Sequence, residues 1–160
     1  MQFEHIVLVN DPRVDSAPLT VAQLWRGLMR RAEDPMLFME QLEGARVTER
    51  GQDWFRRELD FGHFTVADTV HVVHEKSLRF DTEASESHPG GSLTVAIETP
   101  APGVLCVRFS YQTGLPEQPG QEGGDASDSY FVPWVKSAYR DTDVDAIRQI
   151  RALAAAGELG

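Results

Sequence analysis

Between Ala45 and Thr113 apolar residues recur at every second position, in runs broken by turn-forming residues. The runs lie near 45–50, 53–61, 64–73, 77–83, 91–99 and 103–113, with breaks that include Arg50-Gly51-Gln52, Gly62, His88-Pro89-Gly90 and Pro100-Ala101-Pro102-Gly103. A parallel crossover needs roughly a dozen residues or more, so strands this close together must pair antiparallel. The middle of the chain is thereby confined to a meander. Gln2 to Val9 alternates in the same way, with Phe3, His5, Val7 and Val9 on one face, and adds a further strand.

A sheet with one apolar face has to be covered. Thr20, with Gln23 three residues on, has the spacing of a capping box and predicts a helix in which Leu24, Leu28 and Ala32 share a face. Asp34-Pro35 ends that helix, and Met36 to Leu42 suggests a second short one. These two are too short to cover the sheet. Tyr130 to about Ala156 carries a long helical pattern that tolerates Pro133 only in its first turn or at a kink, and Gly157 is a natural stop. The expected fold is α+β: one domain over 1–160, a curved antiparallel sheet of about seven strands around a long C-terminal helix, with two short helices after strand 1. Leu59, Phe61, Phe64, Val70, Leu93, Val95, Val107 and Phe109 should face that helix. Pro116 to Asp128, rich in glycine, proline and acids, is expected to be a mobile loop.

Composition narrows the function. The net charge of −10, from 25 acidic and 15 basic residues, repels phosphate backbones and argues against nucleic acid or an anionic membrane as the main partner. No apolar run approaches the ~20 residues of a membrane span, and the N-terminus lacks the pattern of a signal peptide, so a cytoplasmic location is expected. The lone Cys106 lies in a strand pattern without a second cysteine and reads as structural. His71 and His74, three apart on a strand, point to opposite faces and cannot chelate together. Neither a metal nor a cofactor is expected.

Two charges occupy positions that alternation reserves for apolar residues. Arg57 falls between Phe55, Leu59 and Phe61, and Asp68 between Phe64, Val66, Val70 and Val72. If Gly62-His63 is a two-residue turn, Leu59 faces Val66 and Arg57 faces Asp68; a four-residue turn keeps the same faces inward but offsets the pairing by one step. An unpaired charge there is very costly, whereas the two together can form a hydrogen-bonded pair. The pair either serves structure alone or supplies polar contact in an apolar cavity. His5 shares the inward face of the first strand, and Tyr111 continues the inward series Leu105, Val107, Phe109. Tyr130, Phe131, Trp134, Ala138 and Tyr139 are expected on the helix face that meets the sheet. Trp54 has outward parity.

The layout resembles the START and birch-pollen-allergen-type helix-grip superfamily (SRPBCC), and more closely its AtaL-like family. The resemblance rests on Phe3-Glu4-His5 with Asn10-Asp11-Pro12, Leu24-Trp25-Arg26-Gly27-Leu28 and Arg57-Glu58-Leu59-Asp60-Phe61-Gly62. Asp68-Thr69-Val70, Gly91-Ser92-Leu93-Thr94 and Tyr139-Arg140-Asp141-Thr142-Asp143 extend it over nearly the whole chain. Plant members carry a glycine-rich loop where this chain has only Arg50-Gly51-Gln52, so recognition through that loop does not carry over. The resemblance implies a cavity between sheet and last helix, with the preceding loop near its mouth as a gate. The expected function is non-catalytic binding of a small apolar or amphipathic molecule through Arg57, Asp68, His5, Phe61, Tyr111, Phe109, Tyr130 and Trp134. The alternatives are a cyclase, aromatase or isomerase acting on a polyketide-like substrate, and an interaction domain with a filled cavity.

Overall fold

The computed structural model describes residues 1–13, 17–114 and 126–160, with side chains of the last segment described from residue 134. In chain order the elements are β1 (Gln2–Asn10), α1 (Val21–Glu33), a 3-10 turn (Pro35–Leu37), β2 (Gly44–Gly51), β3 (Trp54–Asp60), β4 (Thr65–Val73), β5 (Ser77–Thr82), β6 (Gly91–Ala101), β7 (Val104–Thr113) and α2 (Ala126–Ala155). The strands form one seven-stranded sheet in the order β1-β7-β6-β5-β4-β3-β2. Each neighbouring pair is antiparallel. Register shifts between Leu8 and Asn10, Val47 and Glu49, and Glu98 and Ala101 break the ladders locally. Irregularities of this kind bend strands and increase their twist.

The capping box at Thr20 is present: Gln23 N–H donates to Thr20 Oγ1 at 3.0 Å, and Thr20 N–H donates to Gln23 Oε1 at 2.9 Å. Leu24, Leu28 and Ala32 form the buried face of α1. The second helix expected over 36–42 is instead a three-residue 3-10 turn. Glu43 N–H donates to Asp60 O at 2.8 Å, so the chain has joined the sheet by residue 43, which leaves little length for a helix. At the β3–β4 turn Gly62 adopts φ +89°, and its N–H is held by Asp60 Oδ1 at 2.8 Å.

The core lies between the sheet and both helices, with Leu24, Leu28, Phe55, Val70, Leu78, Val95, Val107, Phe109, Ile147 and Ile150 at its centre. Leu59 and Val66 are also buried, and Leu93 is half-buried, whereas Phe64 at the tip of the β3–β4 hairpin is exposed against expectation. The helices touch where α1 carries Gly27: a Cβ there would fall 2.4 Å from Ile150 Cγ2.

Helix α2 begins at Ala126 rather than Tyr130, and it seats on the core through Asp143, Ala146, Ile147 and Ile150. This phase corrects the expected inner face. Trp134 is 70% exposed and Ala138 is exposed. Trp134 lies five residues before Tyr139, whose ring does pack inward, and five residues turn a helix roughly 140° past a full revolution. Tyr130 and Phe131 have side chains outside the described residues. So does the expected mobile loop as far as residue 125; its last positions, from Ala126, are helical. Among the described residues no helix is long and apolar enough to cross a membrane.

Candidate functional site

The β3–β4 register pairs Leu59 with Val66 and Arg57 with Asp68, as the hairpin arithmetic requires. Both charges point into the core, with side chains 8% and 5% exposed. Arg57 Nε donates to Asp68 Oδ1 at 2.8 Å, and Nη2 donates to Oδ2 at 2.6 Å. This is the two-pronged geometry that suits a planar guanidinium to a carboxylate. Arg57 Nη1 donates to the carbonyl of Ala32 at 2.9 Å, near the end of α1 where carbonyls run out of helical partners. The guanidinium also sits over the Phe80 ring, 5.0 Å from its centroid.

A second buried cluster centres on Asp143, which is fully buried. Its Oδ2 accepts from Tyr111 Oη at 2.6 Å and lies 2.7 Å from His5 Nε2. A carboxylate only accepts, so His5 carries a proton on Nε2. Asp143 Oδ1 takes a bond from Arg31 Nη2 at 3.3 Å. The rings stack in series: His5 on Phe109 at 5.2 Å, and Tyr111 on Tyr139 at 4.3 Å with planes 1° apart. Burial, and then the negative Asp143, push the Tyr111 and Tyr139 phenols above their ordinary value of 10.0.

A group whose folded-state value is raised stabilises the protein fully below its unfolded value and stops doing so as pH climbs through the folded one. Folding stability should therefore decline as pH rises beyond 10.0, the ordinary tyrosine value. Tyr111→Phe should flatten that decline, read from urea midpoints across an alkaline series. An equally steep decline in the variant would refute the assignment.

Between the two clusters lies a cavity of about 220 Å³, as bounded by the described residues. Arg57, Asp68 and Phe80 line one side; Arg31, Tyr111 and Tyr139 also contribute, with Leu59, Leu93 and Met39 supplying apolar surface. Among the described residues no buried side-chain nitrogen or oxygen lacks a hydrogen-bond partner. A hollow of about 770 Å³ lies at the opposite end of β6 and β7, lined largely by prolines and by the aliphatic Leu19, Val21, Val104 and Leu105. Its one charged lining residue, Asp11, is paired with Arg13 at 2.7 Å. That hollow offers less specific chemistry than the smaller cavity.

Of the residues expected at the site, Arg57, Asp68 and Tyr111 line the cavity. His5 and Phe109 stand behind its wall: His5 holds Asp143, and Phe109 has no exposed surface. Phe61 is outside the lining and stacks on Phe64 at 5.1 Å near the hairpin tip. Trp134 faces away, and the Tyr130 side chain lies outside the described residues. Among the described residues no group of three or more potential ligands could hold a metal ion. Burial and the nearby Glu98 raise the Cys106 thiol, which keeps it protonated.

Two residues escaped the sequence reading. Asp143 lies four and seven positions before the buried Ile147 and Ile150, so extending that stripe backwards would have placed it inward. Arg31 lies three after Leu28 on α1, beside the buried face. Charged residues on a helix are usually solvated, so the sequence alone singles out neither.

Solved structures share this architecture. The Zhui aromatase/cyclase from Streptomyces sp. R1128 is 14% identical, with a TM-score of 0.65 over 96% of this chain and 95% of its own. The di-domain aromatase/cyclase StfQ from the steffimycin biosynthetic pathway is 13% identical, with a TM-score of 0.64 over 94% of this chain and 50% of its own. Ara h 8.0201 is 10% identical, with a TM-score of 0.60 over 95% and 98%. Identity this low shows a common helix-grip fold and nothing finer. No curated protein matches the sequence. The family described as acetylaranotin biosynthesis cluster protein L, AtaL, matches residues 4–157, nearly the whole length, and the chain belongs to that family.

Proposed function

We propose that this protein binds one small amphipathic molecule in the cavity between sheet and helices and releases it unchanged. The observation that carries this reading is a hollow whose apolar lining is interrupted by two guanidinium-bearing clusters, at Arg57 and at Arg31. Ligand sites generally combine such a surface with a few polar groups that fix orientation. At about 220 Å³ the described space suits a compact molecule. The Arg57–Asp68 pair forms a polar part of the wall, Tyr111 another, and His5 supports Tyr111 through Asp143.

A second reading is a cyclase- or isomerase-type reaction on a polyketide-like substrate in the same cavity. The aromatase/cyclase structures of like fold favour it, and Asp68, His5 or Tyr111 would then move protons. Binding is the better supported of the two. Asp68 is engaged on both oxygens, and Tyr111 has its proton on Asp143 and a raised value, so neither is poised as a base at neutral pH. An interaction domain would need a filled interior, which the hollow does not favour.

Native mass spectrometry of freshly purified protein should show a species heavier than the 17.8 kDa chain by one small molecule. Leu93→Trp, placed to fill the cavity, should remove that species and weaken binding of anilinonaphthalene sulfonate by roughly tenfold or more. Equal dye affinity in the filled variant would overturn the reading, and turnover of an isolated ligand would transfer it to the enzymatic one.

A further inference from the structure

The two arginines in the cavity wall are engaged very differently. Arg57 is committed through Nε, Nη1 and Nη2, and its ring partner Phe80 occupies one face. Arg31 also lines the cavity, with its side chain 16% exposed. Among the described residues its one hydrogen bond is the 3.3 Å contact to Asp143 Oδ1, and its guanidinium lies 6.0 Å from the Phe109 ring centroid. A guanidinium carries five N–H donors, so Arg31 faces the hollow with most of its donors unengaged by these residues. The nearby carboxylates are in the opposite condition. Both oxygens of Asp68 and both of Asp143 already receive bonds, and Tyr111 spends its proton on Asp143.

We infer that Arg31 is the residue that selects the ligand, and that it selects for an sp² acceptor oxygen, a carbonyl or carboxylate, attached to a compact apolar body. This rests on the binding function proposed above and adds the ligand's chemistry to it. A guanidinium with donors to spare, beside carboxylates whose oxygens are already occupied, rewards a molecule that brings an acceptor to it. Asp143 is the counter-charge that keeps the guanidinium in place, and His5 and Tyr111 hold Asp143. Tyr139, stacked on Tyr111, offers an aromatic surface to the apolar part.

The probes are acetylnaphthalene, naphthoate and isopropylnaphthalene, which match in shape and differ in acceptor oxygens, titrated against the full chain by protein-detected magnetic resonance. Acetylnaphthalene should bind roughly ten- to a hundred-fold more tightly than isopropylnaphthalene, the range expected of a hydrogen bond from a charged donor. Naphthoate separates the two acceptor types: binding at least as tight as the ketone identifies a carboxylate ligand, and weaker binding a neutral carbonyl. Arg31→Met should abolish the preference for acetyl over isopropyl, the two affinities converging within about threefold. Should that variant fold poorly, Arg31→Lys keeps a charge beside Asp143 and should reduce the preference. Equal affinity for acetyl and isopropyl in the wild type, or a preference that survives both substitutions, overturns the role of Arg31 while the cavity reading stands. Binding of none of the three overturns the cavity reading and this inference with it.

Discussion

Alanine in place of Asp68 is expected to lower the unfolding free energy by about 3–5 kcal/mol, seen as a fall in the urea midpoint at unchanged slope. The size follows from what is left behind. Arg57 would keep a buried positive charge with one carbonyl, that of Ala32, in place of a carboxylate held at 2.8 and 2.6 Å. Arg57→Ala should cost a similar amount for the mirrored reason, and in addition would leave the Ala32 carbonyl without its side-chain donor. Replacing both, as Arg57→Met with Asp68→Leu, should recover most of the loss, since an apolar pair of similar bulk dispenses with two desolvated charges. Recovery should stop short of complete because the end of α1 still lacks its partner. A loss below about 1 kcal/mol in the single variants would place the pair in the energetic class of surface ion pairs and show that cavity water solvates it.

Asp143→Ala should be comparably damaging, again about 3–5 kcal/mol, because a fully buried carboxylate is removed from Arg31, Tyr111 and His5 together. Asparagine offers a sharper comparison. It keeps the shape and one acceptor but turns an amide donor towards groups that are themselves donors, which should leave about 1–3 kcal/mol of the penalty. The cluster should also behave as a unit. Tyr111→Phe should cost little once Asp143 is alanine, and a double-mutant cycle should return a coupling of about 0.5–3 kcal/mol. Strict additivity would mean that the 2.6 Å contact between them contributes nothing to stability.

The sheet was legible because strand periodicity and turn residues are local properties. Alternation through Phe55, Arg57 and Leu59 determined the faces, and a two-residue turn at Gly62-His63, where Gly62 takes φ +89°, is the one of two possible turns that gives the observed register. For the same reason the Arg57–Asp68 pair could be located residue by residue. Helix α2 was harder. Its inner stripe through Tyr139, Asp143, Ala146, Ile147 and Ile150 includes a charge, while the exposed Trp134 imitates a core residue, so hydropathy alone gave the wrong rotation. The Asp143 cluster draws on β1, β7, α1 and α2, and its members are separated by up to 138 positions. No local pattern announces such a meeting. The 3-10 turn is hard to foresee for a related reason, since the chain soon after it is held by Glu43 N–H donating to the Asp60 carbonyl of another strand.

Gly27 is not among the residues lining the cavity, yet it controls how closely the roof can descend. Without a Cβ it lets Ile150 lie directly against the backbone of α1, and even a methyl group there would overlap that side chain. Ile150 belongs to the same stripe as Asp143, so lifting the helix at this point would also draw Asp143 away from Arg31 and Tyr111. The calibre of the cavity and the aim of its polar groups are thus set jointly by one missing carbon at a helix crossing. A change of cavity size could begin there, well away from any residue of its lining.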